Sequence, residues 1–381
     1  MVYGSCNNHG DTMKPQFFIP HPFPVWAAAC LAGAFAIHAP FADAAVQEAW
    51  FQSYNSGQGI SLDRSVGVVV DRFGNVVVTS ESESDFYTVK YSATDGHVVW
   101  QQRFNTPDSY EYPTAVAVDG RGNVVVTGHG PNASTVKYAA ADGAVLWEQF
   151  VGDVSLQIEA MALDHRGNVL VAGNTFVAKY AATDGRLLWE QAYNGSATAV
   201  AADKRGDVLV TGNRETALTR PDYSTAKFSG KDGALIWERI YDGPGGGWDN
   251  AAALAVDGSG NVVVTGDSEN ADPATDFKSD YYTVKYASGD GAVLWEHRYN
   301  GAANLHDYAR SIAVDRDDNV VVTGNSYSAI FYPDFYTAKY AAGNGALLWE
   351  RFYTGVESRG GDAGAVAVDR RGNVVIAGAT S

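Results

Sequence analysis

AVAVDGRGNVVVTG, residues 115–128, decides the architecture. It is two short apolar runs separated by D-x-x-G-N, and close copies begin near residues 66, 160, 199, 253, 311 and 365, seven copies in all. Asp and Asn side chains bond their own backbone in turns, and Gly and Asn accept positive φ, so each copy reads as a tight hairpin. The shared acids are Asp71, Asp119, Asp164, Asp203, Asp257, Asp315 and Asp369. From Asn75 to Asn373 the phrase recurs with a period of about 50 residues. A sevenfold Asp suggests metal ligation, but its position inside a tight turn makes turn chemistry the simpler reading.

Working outward from the hairpin, one unit reads as four strands. Strand a is AVAV (115–118), b is NVVVTG (123–128), c is STVKY (134–138) and d is VLWEQF (145–150). Strand b is apolar without alternation, as expected of a strand covered on both faces. Strand a is rich in Ala, whereas strand d carries a Trp. Small side chains let strands converge on an axis, and bulky ones fill the gaps where they diverge. A second tight turn, D-G before strand d, appears in KYAATDGRLLWE (179–190). The fold class expected is all-β: a seven-bladed β-propeller of four-stranded antiparallel blades.

The two ends support a ring. AWFQSYN (49–55) aligns with LWEQAYN (188–194), placing Trp50 on Trp189 and Tyr54 on Tyr193, so it reads as a lone strand d. AVAVDRRGNVVIAGATS (365–381) is a lone a–b pair. Joined, they make the seventh blade and remove the open edges. One feature departs from this scheme. No strand c follows Ser381, so either that blade has three strands or the sequence stops short of its last one.

The chain has 381 residues, 46% hydrophobic and 19% charged, with a formal net charge of -17. Such an acidic surface disfavours nucleic acid and anionic membranes and tolerates cations, neutral sugars or peptides. Residues 1–44 differ from the rest. Lys14 precedes the 15-residue apolar run VWAAACLAGAFAIHA (25–39), and Ala42-Asp43-Ala44 follows, which is the layout of a signal peptide with Met13 as the better start. The expected organisation is a leader over 1–44 and one propeller domain over 45–381, exported to the periplasm or the extracellular space as a monomer. Cys6 and Cys30 both fall in the leader, so the exported part has neither thiol nor disulfide.

D-x-x-G-N-V-V-V-T-G, D-F-Y-T-V-K-Y (85–91) and D-G-x-x-x-W-E-x-x-Y-N-G resemble the bacterial SBBP-type seven-bladed propeller repeat. The D-G-x-x-x-W part is also similar to the tryptophan-docking motif of PQQ-type propellers. The likeness covers residues 46–381 and implies that Trp50, Trp100, Trp147, Trp189, Trp237, Trp295 and Trp349 dock between neighbouring blades. It implies little about activity. Quinone-dependent dehydrogenases of the broader group are typically eight-bladed with a vicinal Cys pair. Seven units and no cysteine after the leader leave that reading a distant third.

Motifs of chemistry are absent: no H-E-x-x-H, no G-x-S-x-G and no phosphate loop. His97, His165 and His297 fall in or beside repeat hairpins, whereas His129 and His306 fall in loops at the opposite end. Those b–c and d–a loops vary in length and composition, and binding residues sit preferentially on variable loops. Eight residues before the repeat acids stand Asp63, Glu111, Asp249 and Asp307, with Asp362 one place off, and Tyr112 and Tyr308 follow two of them. Two readings are open: a carboxylate ring at a channel mouth that takes Ca2+ or a cationic ligand, or caps of the d–a turn.

Trp248 stands outside the docking series, in the loop GPGGGWDN, where its indole either stacks on a sugar or peptide group or plugs the channel. The longest b–c loop (267–280) holds Asp272, Asp276 and Asp280, a weak Ca2+ candidate set. Lys90, Lys137, Lys179, Lys227, Lys285 and Lys339 recur in strand c and read as structural partners of nearby acids. The reading that results is a secreted, non-catalytic scaffold. It binds a carbohydrate, peptide or protein through its loop face and central channel, with Trp248, Asp249, His306, Asp307, Tyr308, Glu111, Tyr112, Asp63 and Asp362 as candidates. The alternative is a hydrolase or lyase using the mouth carboxylates, with Ca2+ as the cofactor they would take.

Overall fold

The computed structural model describes residues 64–380 apart from 106–109, 131–132, 152–156, 217–218, 245, 271–277, 330–331 and 355–359. Among these residues every regular element is a β-strand. The expected leader and the closing strand at 49–55 lie outside them.

The strands form six four-stranded antiparallel sheets, each in plain a-b-c-d order, and one two-stranded sheet. Sheet 1 spans 64–104, sheet 2 112–151, sheet 3 158–192, sheet 4 196–241, sheet 5 249–299 and sheet 6 307–353. Sheet 7 pairs Gly361–Val368 with Val374–Thr380. Strand a of each sheet contacts strand a of the next, from Arg64–Val70 through to Gly361–Val368, so the Ala-rich strands lie innermost and the sheets succeed one another around them.

The register explains the repeat phrase. In sheet 2, Val118 pairs with Val124 across the D-G-R-G-N turn. Asp119 Oδ1 accepts the Arg121 and Asn123 amides, and Oδ2 accepts Asn123 Nδ2. The Asn123 oxygen in turn accepts the amide of Ala140 in the c–d turn, so one Asn ties the two turns of a sheet together. All seven acids hold their turns this way, with Asp207 in place of Asn in sheet 4. Between b and c, a threonine pair crosses the sheet in five of them, from Thr79–Thr88 to Thr323–Thr337 at 2.7–3.1 Å. The first five residues of strand b are buried in sheets 2 to 6, as its unbroken apolar run requires.

In sheets 1 to 5, two polar groups reach into the next sheet. The strand-c lysine, buried in sheets 1 to 5 and partly buried in sheet 6, pairs with the turn aspartate of its own sheet at 2.6–2.9 Å: Lys90–Asp71, Lys137–Asp119, Lys179–Asp164, Lys227–Asp203, Lys285–Asp257 and Lys339–Asp315. In sheets 1 to 5 the same ammonium donates to a carbonyl in the c–d turn of the following sheet, for example Lys137 to Ala182 at 2.9 Å. The Trp indole N–H donates to that same carbonyl, Trp147 to Ala182 at 3.3 Å. The indole face then covers the turn glycine, as Trp147 covers Gly185. Lysine and tryptophan therefore act as one inter-sheet clasp. The acids that pair with lysine ionise readily: burial opposes it, but hydrogen bonds from lysine, Asn and backbone outweigh burial and hold Asp71, Asp119 and Asp257 below the usual carboxylate range.

Candidate functional site

Antiparallel a-b-c-d order places all a–b and c–d turns at one end and all b–c and d–a loops at the other. The turn end is occupied by the repeated clasps. The loop end differs from sheet to sheet, and there the candidates lie.

Trp248 immediately precedes strand a of sheet 5, Asp249–Val256. Its amide donates to Glu269 Oε2 at 3.0 Å, and its carbonyl accepts the Glu269 amide at 2.9 Å. Glu269 is itself paired with Arg220 of sheet 4 at 3.4 Å. The backbone is thus fastened on both sides while the indole remains 46% exposed. Tyr308 holds the matching region of sheet 6, stacked on His306 at 5.5 Å and 7°, with the Arg310 guanidinium 5.5 Å from its ring. His306 Nδ1 accepts the Ser279 amide at 3.3 Å, linking sheets 5 and 6. Tyr112 is exposed and lies 5.8 Å from His129, and Tyr110 beside it is more exposed still.

The carboxylates behave differently from these aromatics. Glu111 is buried, and its amide donates to Ser84 of sheet 1. Asp249 and Asp307 are fully buried, and each accepts a d–a turn amide: Gly243 at 2.6 Å and Gly301 at 2.7 Å. These bonds cap the d–a turns. Burial pushes Asp249 up to about 6, aided by the charges of Asp222 and Asp242 and opposed by the Ser268 hydroxyl and Gly243 amide. Burial likewise pushes Asp307 to about 6, against the Gly301 amide and Ser326. Asp362 is exposed and takes a short hydrogen bond from Asn325 of sheet 6. Asp280 is paired with Arg298 at 2.9 Å. Asp63, Asp272 and Asp276 lie outside the described residues.

The structure gathers Asp249 with Asp222 and Asp242, one oxygen of each lying within 4.8 Å of the others. Neither Asp222 nor Asp242 is a candidate from sequence. The repeat does carry a signal: an Asp stands five residues before the strand-c lysine in sheets 1, 4, 5 and 6 (Asp85, Asp222, Asp280 and Asp334), and its arginine partner, three residues after the docking Trp, is present only in sheets 1 and 5 as Arg103 and Arg298.

A family model described as outer membrane protein assembly factor BamB (PQQ_2) matches residues 132–380. The chain belongs to this family. No curated protein matches it. Solved structures are also similar to it. BamB from Moraxella catarrhalis is 14% identical with a TM-score of 0.51, over 84% of this chain and 92% of that one. The Dos1 propeller is 9% identical with a TM-score of 0.58, over 84% and 76%. The β-propeller domain of Myceliophteria thermophila Cps50 (Swd1) is 11% identical with a TM-score of 0.51, over 84% and 94%. These likenesses establish the fold, so the radial sheets of this BamB-family chain are propeller blades, and the Trp-on-Gly contacts are its docking motif. Among the described residues no helix is long and apolar enough to cross a membrane.

Proposed function

We propose that this BamB-family propeller is an exported, non-catalytic scaffold that binds a peptide, carbohydrate or protein on its loop face. The observation that carries the reading is Trp248. Its backbone is held by Glu269 on both sides, so the exposed indole is presented without a large ordering cost on binding, the property of an anchor residue. Tyr308 on its His306 stack, with exposed Tyr112 and Tyr110, supplies further aromatic surface on the same end. Screening the exported protein against immobilised glycans and peptides tests this, with Trp248→Ala and Tyr308→Ala alongside. A ligand whose binding falls about tenfold or more in Trp248→Ala, without loss of folding, supports the reading. Equal binding by both variants and wild type, or no ligand at all, rejects it.

The ring itself is proposed as seven-bladed and SBBP-like. Sheet 1 offers the D-G turn at Asp95-Gly96, with Gly96 at φ 70 like the other docking glycines. Trp50 is the docking residue assigned to it, bringing residues 46–54 to the sheet of Gly361–Thr380. Export follows from the leader reading of 1–44, and mass analysis of the protein from cell fractions tests it. An uncleaved chain retained in the cytoplasm contradicts it.

A second reading has one observation in its favour. Asp249 and Asp307 are held near pH 6, where a carboxyl serves as a general acid. A hydrolase or lyase would use them. Turnover of glycan or peptide substrates by wild type and its loss in Asp307→Asn would establish that activity.

A further inference from the structure

We propose that Asp222, Asp242 and Asp249 form a divalent-cation site, best matched to Ca2+, at the seam between the fourth and fifth blades.

The neighbouring seam provides the comparison. Between the fifth and sixth blades, Asp280 at the start of strand c and Asp307 at the start of strand a occupy positions equivalent to Asp222 and Asp249. There Arg298 of strand d donates to Asp280 at 2.9 Å, and Asn300 follows that strand. The first blade repeats the device with Arg103 and Asp85 at 2.9 Å. At the fourth blade the arginine position is Ile240, paired with Ser224 as Arg298 is with Tyr282. The Asn300 position has become Asp242. One positive group is lost and one negative group gained at the same place.

Nothing among the described contacts replaces the missing cation. Arg214 lies opposite Asp222 in the strand register and favours its charge from a distance, but its guanidinium lies against the Asn194 side-chain amide and makes no ion pair within 4.0 Å. Even with Arg214 counted, the group carries two net negative charges. Asp249 supplies the independent sign of a ligand. It is fully buried, its Oδ2 is occupied by the Gly243 amide, and its Oδ1 has no hydrogen-bond partner; Asp280 Oδ1 and Asp307 Oδ1 share that feature at the neighbouring seam, where the Arg298 guanidinium supplies the positive charge that this seam lacks. A buried carboxylate oxygen without a donor is costly, and a metal ion is one of the few groups that satisfies it.

The chemistry selects a hard cation. All three donors are carboxylate oxygens, with neither imidazole nor thiolate in the cluster. Ca2+ takes oxygens at about 2.4 Å, so a coordination sphere spans about 5 Å, in line with oxygens lying within 4.8 Å of one another. Asp242 is exposed, which leaves one side open to entry and to the waters that complete the sphere. The site sits next to Trp248, so an ion there ties the last turn of the fourth blade to the strand that presents the indole. It does not depend on any ligand binding at Trp248.

Calorimetric titration of the metal-stripped exported chain with CaCl2, together with melting curves, tests the site. Wild type is expected to bind one Ca2+ with a saturable heat and a rise in Tm. Asp242→Asn, an exposed position that folding tolerates, is expected to lose both, while Asp142→Asn at a distant exposed acid keeps both. Absence of heat and of any Tm rise in wild type overturns the proposal. So does Asp242→Asn binding Ca2+ as wild type does. Either failure leaves the Trp248 binding screen unaffected, so the two proposals fail separately.

Discussion

The indole of Trp237 lies against Gly291 of the following blade so closely that a Cβ added to that glycine would come within 2.8 Å of the ring. The same pairing recurs as Trp100–Gly143, Trp147–Gly185, Trp189–Gly233 and Trp295–Gly345. Each of these glycines also has φ near +70, where a side chain is strained. Close approach and backbone sign therefore select the same residue. Gly291→Ala is expected to cost about 2–4 kcal/mol in chemical denaturation. Gly289→Ala, in the same turn with nothing within 4 Å of its Cβ, is expected to be near neutral.

Lys227 is the most fully engaged of the clasp lysines. Its ammonium meets Asp203 at 2.9 Å, the Ser288 carbonyl at 3.1 Å and the Ser288 hydroxyl at 3.0 Å. Lys227→Met leaves Asp203 buried without its cation and is expected to destabilise by about 3–5 kcal/mol. Adding Asp203→Asn removes the stranded charge, so the double variant should recover part of that loss. A double variant no more stable than Lys227→Met would show that the pair acts only through the Ser288 bonds.

Stability should respond to pH in two opposed windows. Asp71, Asp119, Asp164, Asp203, Asp257 and Asp315 are held below their unfolded value of 3.8. Their contribution is present above that value and lost as pH falls through the folded one. Asp307, raised to about 6, works the other way: its contribution is full below 3.8 and is lost as pH rises through 6. Melting temperature is therefore expected to rise from pH 7.5 to 5 and to fall steeply below pH 4. Asp307→Asn should be more stable than wild type at pH 7.5 and lose that advantage near pH 4.5. A variant equally stable at both pH values would contradict the assignment.

Trp248→Ala separates anchor from structural part. The indole is half exposed, and the loop is held through the backbone and Glu269. Melting temperature should change by no more than a degree or two, since surface changes are usually within about 0.5 kcal/mol. A fall comparable to that of Gly291→Ala would make Trp248 part of the packing instead.

The sequence made the hairpins, their four-strand unit and the docking tryptophans legible because each depends on local chemistry repeated many times. Asp119 needs only Arg121 and Asn123 to declare its turn. Strand-c lysines read as partners of acids for the same reason, although their second bond, to a carbonyl such as Ala182 in the next blade, involves a backbone group that no residue type announces. The acidic cluster was hidden for another reason. Asp222, Asp242 and Asp249 come from strand c, the d–a loop and the next strand a, and only blade-on-blade packing brings them together. Counting back from the repeat acids found Asp249 and Asp307 but not their burial, which depends on Gly243 and Gly301 folding over them. The contrast between Ile240 and the arginines at the same place in two other copies, Arg103 and Arg298, was visible throughout, but it acquires meaning only beside the Arg298–Asp280 pair.

Spin labels give the most direct measurement of the closed ring. Cys6 and Cys30 are the chain's only cysteines and both precede residue 45, so cysteines placed at Gln52 and Ala379 in the exported protein label cleanly. With residues 46–54 in the sheet of Gly361–Thr380, their backbones lie one or two strand spacings apart, about 5–10 Å. Pulsed and continuous-wave electron resonance should then show one narrow, short distance. A broad distribution centred beyond about 30 Å, far outside any sheet neighbour, would contradict closure and the single continuous loop face that follows from it.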